Sequence, residues 1–300
     1  MARLVANGRT IGYLAAMIRA LVTTGLVLTL NSFATPAMAQ WPDWPSPNVP
    51  RLADGQPDYA APTPRSADGR PDFSGIWESW TRSAPGRAEA NAREVANRTP
   101  SVEQAAPPLA SFLDLGMNID GGLPYLDWAR ELRDARVADG MKDNPDANCL
   151  PMGLMQLHMH PQPRKIVQLP HLIVMMYEGN SGLRQIFMDG RPLPDNDPQP
   201  WYYGYSVGHW DGDTLVVETI GFRDDVWLDI NGSPLTSNGK ITERFTRPSF
   251  GRMVIDVTIE DATAYSEPFT VRVEHGVMLD TDLIEFICNE NEQSTQYFDP

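Results

Sequence analysis

The pattern of apolar and polar positions changes at Lys165. From there to Cys288, short runs of β-branched, aromatic and other apolar residues are separated by polar turn residues, a pattern typical of β-strands. The predicted strands are Lys165 to Leu169, Leu172 to Glu178, Leu183 to Met188, Trp201 to Trp210, Thr214 to Ile220, Lys240 to Arg247, Met253 to Ile259, Phe269 to Val273 and Asp282 to Cys288. The second half of the chain is therefore predicted to be mainly β.

The residues between these segments are typical of tight hairpin turns. Asp-Gly and Asn-Gly adopt the positive φ angles that short hairpins require, so most neighbouring strands are expected to pair antiparallel. An open sheet would leave exposed edges, and we therefore favour closure of the meander into a barrel over a sandwich. The turns are Asn180-Ser181-Gly182, Asp189-Gly190-Arg191, Asp211-Gly212-Asp213, Asn231-Gly232 and Asn238-Gly239.

The first half of the chain is predicted to be irregular, apart from one helix. Leu126, Ala129, Leu132 and Val137 recur near helical spacing and predict a helix from Pro124 to Val137. Residues 82–110 are rich in Ala, Arg and Pro and indicate a mobile loop or frayed helix within an insertion at about 82–148. Residues 40–72 contain the near-repeats ADGQPD and ADGRPD and are too polar to form a core, so they are expected to be a strap or linker before a single β domain over 73–300.

The extreme N-terminus has the three parts of a secretory signal peptide. Arg3, Arg9 and Arg19 come first, an apolar stretch from Ala20 to Leu30 follows, and Ala37-Met38-Ala39 supplies a cleavage site before Gln40. The stretch is short for a membrane anchor, which is the alternative. We expect residues 1–39 to be removed and the mature protein to be periplasmic, with no membrane insertion after cleavage.

Charge and cysteine content narrow the possible partners. The whole chain carries a net charge of −15, and removal of the three arginines would leave −18. Such a charge disfavours binding to nucleic acid or to anionic membranes. Cys149 and Cys288 are expected to form a disulfide in an oxidising compartment, the alternative being a catalytic Cys-His pair.

Two resemblances follow from motifs. Gly75-Ile76-Trp77 ahead of a meander resembles the opening of calycin barrels, the lipocalins and their relatives, which implies a calycin-like barrel with Trp77 at one end. The chain also resembles a family of secreted bacterial proteins, which implies an export signal and a β-barrel but no established activity; His209 stands where that pattern has another basic or polar residue. The motifs are DGRPDFSGIW, Cys149-Leu150-Pro151, KIVQLP, RQIFMDGRPLP, GYSVGHWDGDTLVVETIGF, TERF and EFICNEN.

Four residues are candidates for acid–base chemistry. Glu243 alternates with Ile241 and Phe245, so an inward apolar face would bury its carboxylate, where desolvation raises a carboxyl pKa. Glu218 has a similar pattern, and Arg184 could neutralise either carboxylate. His209 alternates with tyrosines and is placed at the mouth of an aromatic cavity wall as a general base. The structural alternative is a buried Arg–Glu pair that only fixes the register of the strands.

Aromatic residues are the candidate ligand contacts, namely Tyr203, Tyr205, Trp77 and Trp210. No cofactor is expected, because the motifs for nucleotide binding and for an activated serine are missing from the sequence. His158 and His160 would share a face on an extended segment, which makes a metal site a weak alternative to two histidines in a loop. The Asp-Gly turns lack the closing Glu of an EF-type calcium loop.

These observations predict a barrel that acts on an apolar or aromatic small molecule. As an enzyme it would be a cofactor-independent lyase, isomerase or hydratase that uses Glu243 or Glu218 with His209 and Arg184. The alternative is a periplasmic binding or carrier protein without catalysis. A third class, an envelope scaffold, would instead use residues 40–72 for contacts.

Overall fold

The predicted strands form a closed β-barrel in a computed structural model of the chain. The structure describes residues 45–79, 106–194 and 199–290, so the predicted signal peptide and most of the segment 82–110 lie outside the described residues. The strands are β1 (Gly75–Ser79), β2 (Arg164–Gln168), β3 (Leu172–Tyr177), β4 (Gly182–Phe187), β5 (Tyr205–Asp211), β6 (Thr214–Ile220), β7 (Val226–Trp227), β8 (Pro234–Leu235), β9 (Lys240–Ser249), β10 (Arg252–Glu260) and β11 (Phe269–Met278).

Nine of these strands follow one another around the ring in chain order, while β7 and β8 form a separate hairpin. The ring closes where β11 pairs antiparallel with β1. An odd number of strands cannot alternate in direction all the way round, so one junction must be parallel. That junction is β4 with β5, where only Ile186 and Phe187 pair, with Ser206 and Val207. We call it the parallel seam.

The barrel interior follows the alternation of the strands. On β10, for example, Met253, Ile255, Val257 and Ile259 are completely buried, and equivalent residues of β6, β9 and β11 meet them. Burial of these side chains on one face contributes the main stabilising term of the fold, about 1.5–3 kcal/mol for each large aliphatic residue. The prediction of a mainly β barrel is confirmed.

Two α-helices are present in the described residues, beside short 3-10 helices at Asp146–Asn148 and Gly179–Ser181. The first, α1 (Asp127–Ala138), confirms the predicted helix to within a few residues and buries Ala129. The second, α2 (Leu154–Met159), was not predicted, and all six of its residues are buried. Because α2 is buried on every side and shorter than two turns, it has no amphipathic periodicity in the sequence. None of the helices in the described ranges has the length and apolar character needed to cross a membrane.

Residues 45–72 run across one end of the barrel, and we call them the strap. Each near-repeat forms the same turn, in which Arg51 pairs with Pro57 and Arg65 with Pro71. The second turn contacts the barrel: both terminal nitrogens of Arg65 donate to the carboxylate of Asp213, at 2.7 and 2.6 Å. Polar backbone groups and side chains therefore attach a segment that has little apolar surface.

The C-terminal tail differs from its prediction. Residues 282–288 form no strand, because β11 already pairs with β1 and the closed ring offers the tail no edge. Side chains hold the tail instead, with Lys165 bound to Asp282 at 2.7 Å. The predicted disulfide is confirmed: Cys149 and Cys288 are bonded, with their Cα atoms 5.4 Å apart.

We predict that this disulfide contributes strongly to stability, because the loop it closes contains eight of the nine barrel strands. The bonded cysteines are 139 residues apart, which corresponds to a loss of up to about 5 kcal/mol in the free energy of unfolding for a Cys149→Ser/Cys288→Ser variant. Urea denaturation followed by tryptophan fluorescence would measure it. A reductant should destabilise the wild type equally and leave the variant unaffected; an unchanged midpoint in the variant would contradict the prediction.

Candidate functional site

A buried ion pair joins two of the predicted catalytic residues inside the barrel. Glu243 projects inward from β9 between Ile241 and Phe245 and is completely buried, as the alternation predicted. Arg184 projects inward from β4 and is 2% exposed. Its Nη1 donates to Glu243 Oε1 at 2.9 Å, and its Nη2 donates to Oε2. This two-point contact compensates two charges that would otherwise be costly to bury.

The other donors of Arg184 reach the strands between β4 and β9. Nε donates to Ser206 Oγ at 3.0 Å on β5, and Nη2 donates to Thr219 Oγ1 at 2.9 Å on β6. The two hydroxyl groups also lie 2.9 Å apart and bond to each other. One guanidinium therefore links four adjacent strands across the parallel seam, where the backbone supplies few hydrogen bonds.

His158 of α2 is the third member of this cluster. Its Nε2 lies 2.7 Å from Glu243 Oε1, and because the carboxylate can only accept, Nε2 carries the proton. Nδ1 is buried and has no hydrogen-bond partner among the described residues. The ring lies between those of Tyr177 and Phe245, with centroids 6.4 and 6.2 Å away. Sequence reasoning assigned His158 only to the weak metal alternative, because the helical fold of its segment has no sequence signal.

The charge state of the cluster differs from the expected one. Burial by itself raises the pKa of Glu243, but the charge of Arg184 and the hydrogen bonds from His158 and Arg184 outweigh it and bring the pKa to about 2. The expectation of a raised pKa is therefore wrong, because it did not include the paired cation. Burial lowers the pKa of His158 despite its bond to Glu243. At neutral pH the cluster holds a carboxylate, a guanidinium and a neutral imidazole.

A second buried cation fixes the C-terminal end of α2. Arg164 of β2 donates from Nη1 to the backbone oxygen of His158 and from Nη2 to that of His160, both at 2.7 Å. Nε2 of His275 lies 2.8 Å from the same His158 oxygen. Carbonyl groups are unpaired at a helix C-terminus and attract cations. Arg164 therefore holds the helix that presents His158 to Glu243.

The other two acid–base candidates lie on the outside of the barrel. Ser206 is the inward residue of β5, so Tyr205 and His209 take the outer face, and His209 is exposed. Glu218 also faces outward and binds Lys240 at 2.5 Å. The predicted position of His209 at an inner cavity mouth is wrong. Ser206 and Gly208 share the inner face with Trp210, and Ser206 binds Arg184, whereas Tyr205 lies outside. Aromatic content therefore did not mark the inner face.

The predicted ligand contacts do not all share one place. Trp77 is completely buried at the strap end of the barrel, and its Nε1 donates to the backbone oxygen of Phe73 at 2.9 Å. Trp210 stacks on Phe73 with ring centroids 6.0 Å apart. Trp77 thus packs as an internal plug, as expected for a barrel end, and is too buried to contact a ligand.

Tyr203 and Tyr205 line the same pocket, which lies at the parallel seam. This seam pocket has a volume of about 460 Å³, and Arg184 lies on its inner side. Gly204 enters β5 with φ +68, and a Cβ there would lie 2.5 Å from Thr219 Cγ2. The chain therefore passes very close to the barrel before β5. The other residues that line the seam pocket include Leu183, Phe187, Trp201 and Tyr202.

The two histidines of the weak metal alternative do not share a face. His158 lies within α2 and His160 follows its end, so residues two apart point in different directions. His160 Nε2 lies 4.0 Å from the carboxylate of Asp146. Within the described ranges, no group of three His, Cys, Asp or Glu side chains could hold a metal ion.

Comparisons of the chain with protein-family models, curated proteins and solved structures find no match. The geometry and chemistry of the barrel are therefore the basis for the function proposed below.

We predict that Glu243→Gln destabilises the fold, because it leaves the buried charge of Arg184 unpaired. The expected loss in the free energy of unfolding is about 3–5 kcal/mol. Glu218→Gln is the matched control, since it removes the same group from a partly exposed pair on the neighbouring strand, with an expected loss within about 1 kcal/mol. Chemical denaturation of both variants would measure the difference, and equal losses would show that the interior pair is not a principal stabilising contact.

We also predict loss of stability on mild acidification. Burial lowers the pKa of His158 and His275 in the folded state below 6.5, so the unfolded chain binds protons that the folded chain does not. Stability from these groups is complete above about pH 6.5 and falls as the pH falls below it. Glu243 adds a further loss between its ordinary pKa of 4.5 and its folded pKa of about 2.

Urea midpoints measured from pH 8 to 5 would show this decline. His209→Gln should leave the slope unchanged, because that ring is exposed, whereas His158→Gln should make it shallower. Identical slopes in the two variants would contradict the assignment to buried histidines.

Proposed function

We propose that the protein binds a planar, uncharged aromatic molecule in the seam pocket. The observation that carries the proposal is that Arg184, Tyr203 and Tyr205, three residues singled out in the sequence, line one pocket at the parallel seam. The strands β4 and β5 pair at only two positions, near the end of β4. This leaves room between the first residues of β4 and the chain that leads into β5. Small-molecule sites typically occupy about 300–1,000 Å³.

The lining chemistry supports an aromatic ligand. The rings of Phe187, Trp201, Tyr202, Tyr203 and Tyr205 offer faces and edges for stacking. Burial raises the pKa of Tyr203, so its phenol remains a hydrogen-bond donor at neutral pH. The side chains of Gln185 and Gln199 add polar groups at the pocket wall.

The charges favour a neutral ligand over an anion. Arg184 is the cation that lines the pocket, and Glu243 already neutralises it through two contacts. An anionic ligand would therefore gain little net attraction and would lose its hydration. The aromatic surface, rather than charge, would provide most of the binding free energy.

Binding outside the cytoplasm is part of the proposal. The signal-peptide pattern of residues 1–39 predicts export, and the bond between Cys149 and Cys288 fits an oxidising compartment. The protein would then act as a periplasmic binding or carrier protein. Membership of the family of secreted bacterial proteins that its motifs resemble remains part of this proposal.

A second candidate function is acid–base catalysis by a lyase, isomerase or hydratase. It is favoured by the pair of Glu243 and His158, in which a carboxylate orients an imidazole and leaves Nδ1 available as a base. His158 takes the role that was expected of His209. The complete burial of His158 favours the binding function over this one, because a substrate would first need a path to Nδ1.

We predict that the neutral aromatic probe N-phenyl-1-naphthylamine binds the wild-type protein, and that Trp201→Ala weakens its affinity about three- to tenfold through loss of stacking. Trp128→Ala is the matched control, because Trp128 is similarly exposed, at 42% against 50% for Trp201, and lies on α1 away from the pocket. Probe fluorescence gives both dissociation constants.

Equal affinities in the two variants would contradict binding at the seam. The same titration observed by ¹⁵N NMR separates the two functions. Shifts of the His158 ring nitrogens on addition of the probe would support the catalytic candidate, whereas shifts confined to Tyr203, Gly204 and Tyr205 amides would support binding alone.

A further inference from the structure

A second pocket lies between the strap and the end of the barrel that the strap covers. This strap pocket has a volume of about 680 Å³. Its walls come from residues 45–49 and Pro64–Arg65 of the strap, from the start of β1, and from the end of β11 with the tail that follows it. It shares no lining residue with the seam pocket and does not depend on the function proposed for that pocket.

The strap pocket is lined by a buried cation that forms no ion pair with a carboxylate of the described residues. Arg247 of β9 is 7% exposed. It donates from Nη1 to the backbone oxygen of Asp72 and from Nη2 to that of Phe250, the latter at 2.6 Å. Its Nε is buried and has no hydrogen-bond partner in the part of the chain that the structure describes. Burial lowers the pKa of Arg247 to about 10, so the group stays cationic at neutral pH.

Among the buried arginines, Arg184 and Arg252 have a carboxylate partner, whereas Arg164, like Arg247, is held by carbonyl oxygens. Arg247 in addition lines the strap pocket. Arg184 binds Glu243, and Arg252 binds Glu274 at 2.5 Å. The carboxylate of Asp72 lines the strap pocket and its charge acts on Arg247, but it accepts the backbone N–H of Ser74 and forms no direct ion pair with the guanidinium. Carbonyl groups and the rings of Trp77 and Phe250, 4.8 and 5.7 Å away, hold this cation, and no carboxylate of the described residues bonds to it directly.

The rest of the pocket combines an apolar wall with charged groups at its edge. Val49, Ile76, Phe250 and Leu279 supply the apolar surface. Lys165 is neutralised by Asp282, and Arg65 by Asp213. Among the lining residues that the structure describes, Arg247 is therefore the cation whose guanidinium forms no ion pair and can bind a ligand.

We propose that the strap pocket binds an organic carboxylate with an apolar body. The carboxylate would accept hydrogen bonds from the guanidinium of Arg247, and the body would pack between the strap and the apolar wall. An anion at this position supplies the compensation that Glu243 supplies for Arg184. The two pockets would then select ligands of different charge.

Isothermal titration calorimetry with 1-naphthoate and 1-naphthamide tests this proposal, because the two probes have nearly the same shape and differ in charge. The wild type should bind the carboxylate at least about tenfold more tightly, since hydrogen bonds between charged groups are the stronger ones. In Arg247→Gln the two probes should bind with about equal affinity. Arg244→Gln is the matched control: it removes an equal charge from the exposed face of the same strand and should preserve the preference.

A second variant guards against loss of folding in Arg247→Gln. Leu279→Glu leaves Arg247 in place and adds a carboxylate to the pocket wall, which should abolish the preference for 1-naphthoate while circular dichroism confirms the barrel. Equal affinities of the wild type for the two probes would overturn the proposal. So would a preference that persists in Leu279→Glu, or one that is lost in Trp201→Ala, which would place the carboxylate at the seam.

Discussion

The odd number of strands in the closed ring is the constraint on which the rest of the structure depends. Nine strands in a closed ring require one parallel junction, and β4 with β5 supplies it through two residue pairs. A short ladder leaves little backbone hydrogen bonding to hold that part of the ring together. Arg184 crosses the junction and binds side chains of β5, β6 and β9, so the interior ion pair compensates locally for the missing ladder.

The same ion pair decides what chemistry the interior can perform. A lone buried carboxylate would be protonated at neutral pH and could act as an acid. Glu243 instead meets both Arg184 and His158, and its pKa falls to about 2. The site is thus a compensated cluster that fixes the relation of α2 to four strands. This favours a structural role for Glu243, beside the seam pocket that Arg184 helps to line.

Charge compensation also distinguishes the seam pocket from the strap pocket. At the seam the guanidinium of Arg184 is bound to a carboxylate, and five of the lining residues are aromatic. At the strap end Arg247 contacts carbonyl oxygens and the face of Trp77, within a larger pocket. The two sites proposed for this barrel therefore differ in whether the arginine that lines the pocket is bound to a carboxylate.

The sequence by itself determined the elements that depend on local physics. Alternation and Asp-Gly or Asn-Gly turns predicted eight of the ring strands, helical spacing predicted α1, and the only two cysteines predicted their bond. Tertiary structure alone decided the parallel seam, the presence of α2, the lack of a strand at residues 282–288, and the outward positions of Glu218 and His209. Each of these features depends on contacts between distant segments. The inward face of β5 is the one that carries Ser206, which binds Arg184. The odd number of strands cannot be recognised from any single segment of the sequence. For the same reason the pairing of His158 with Glu243, 85 residues away in sequence, is decided by the tertiary structure.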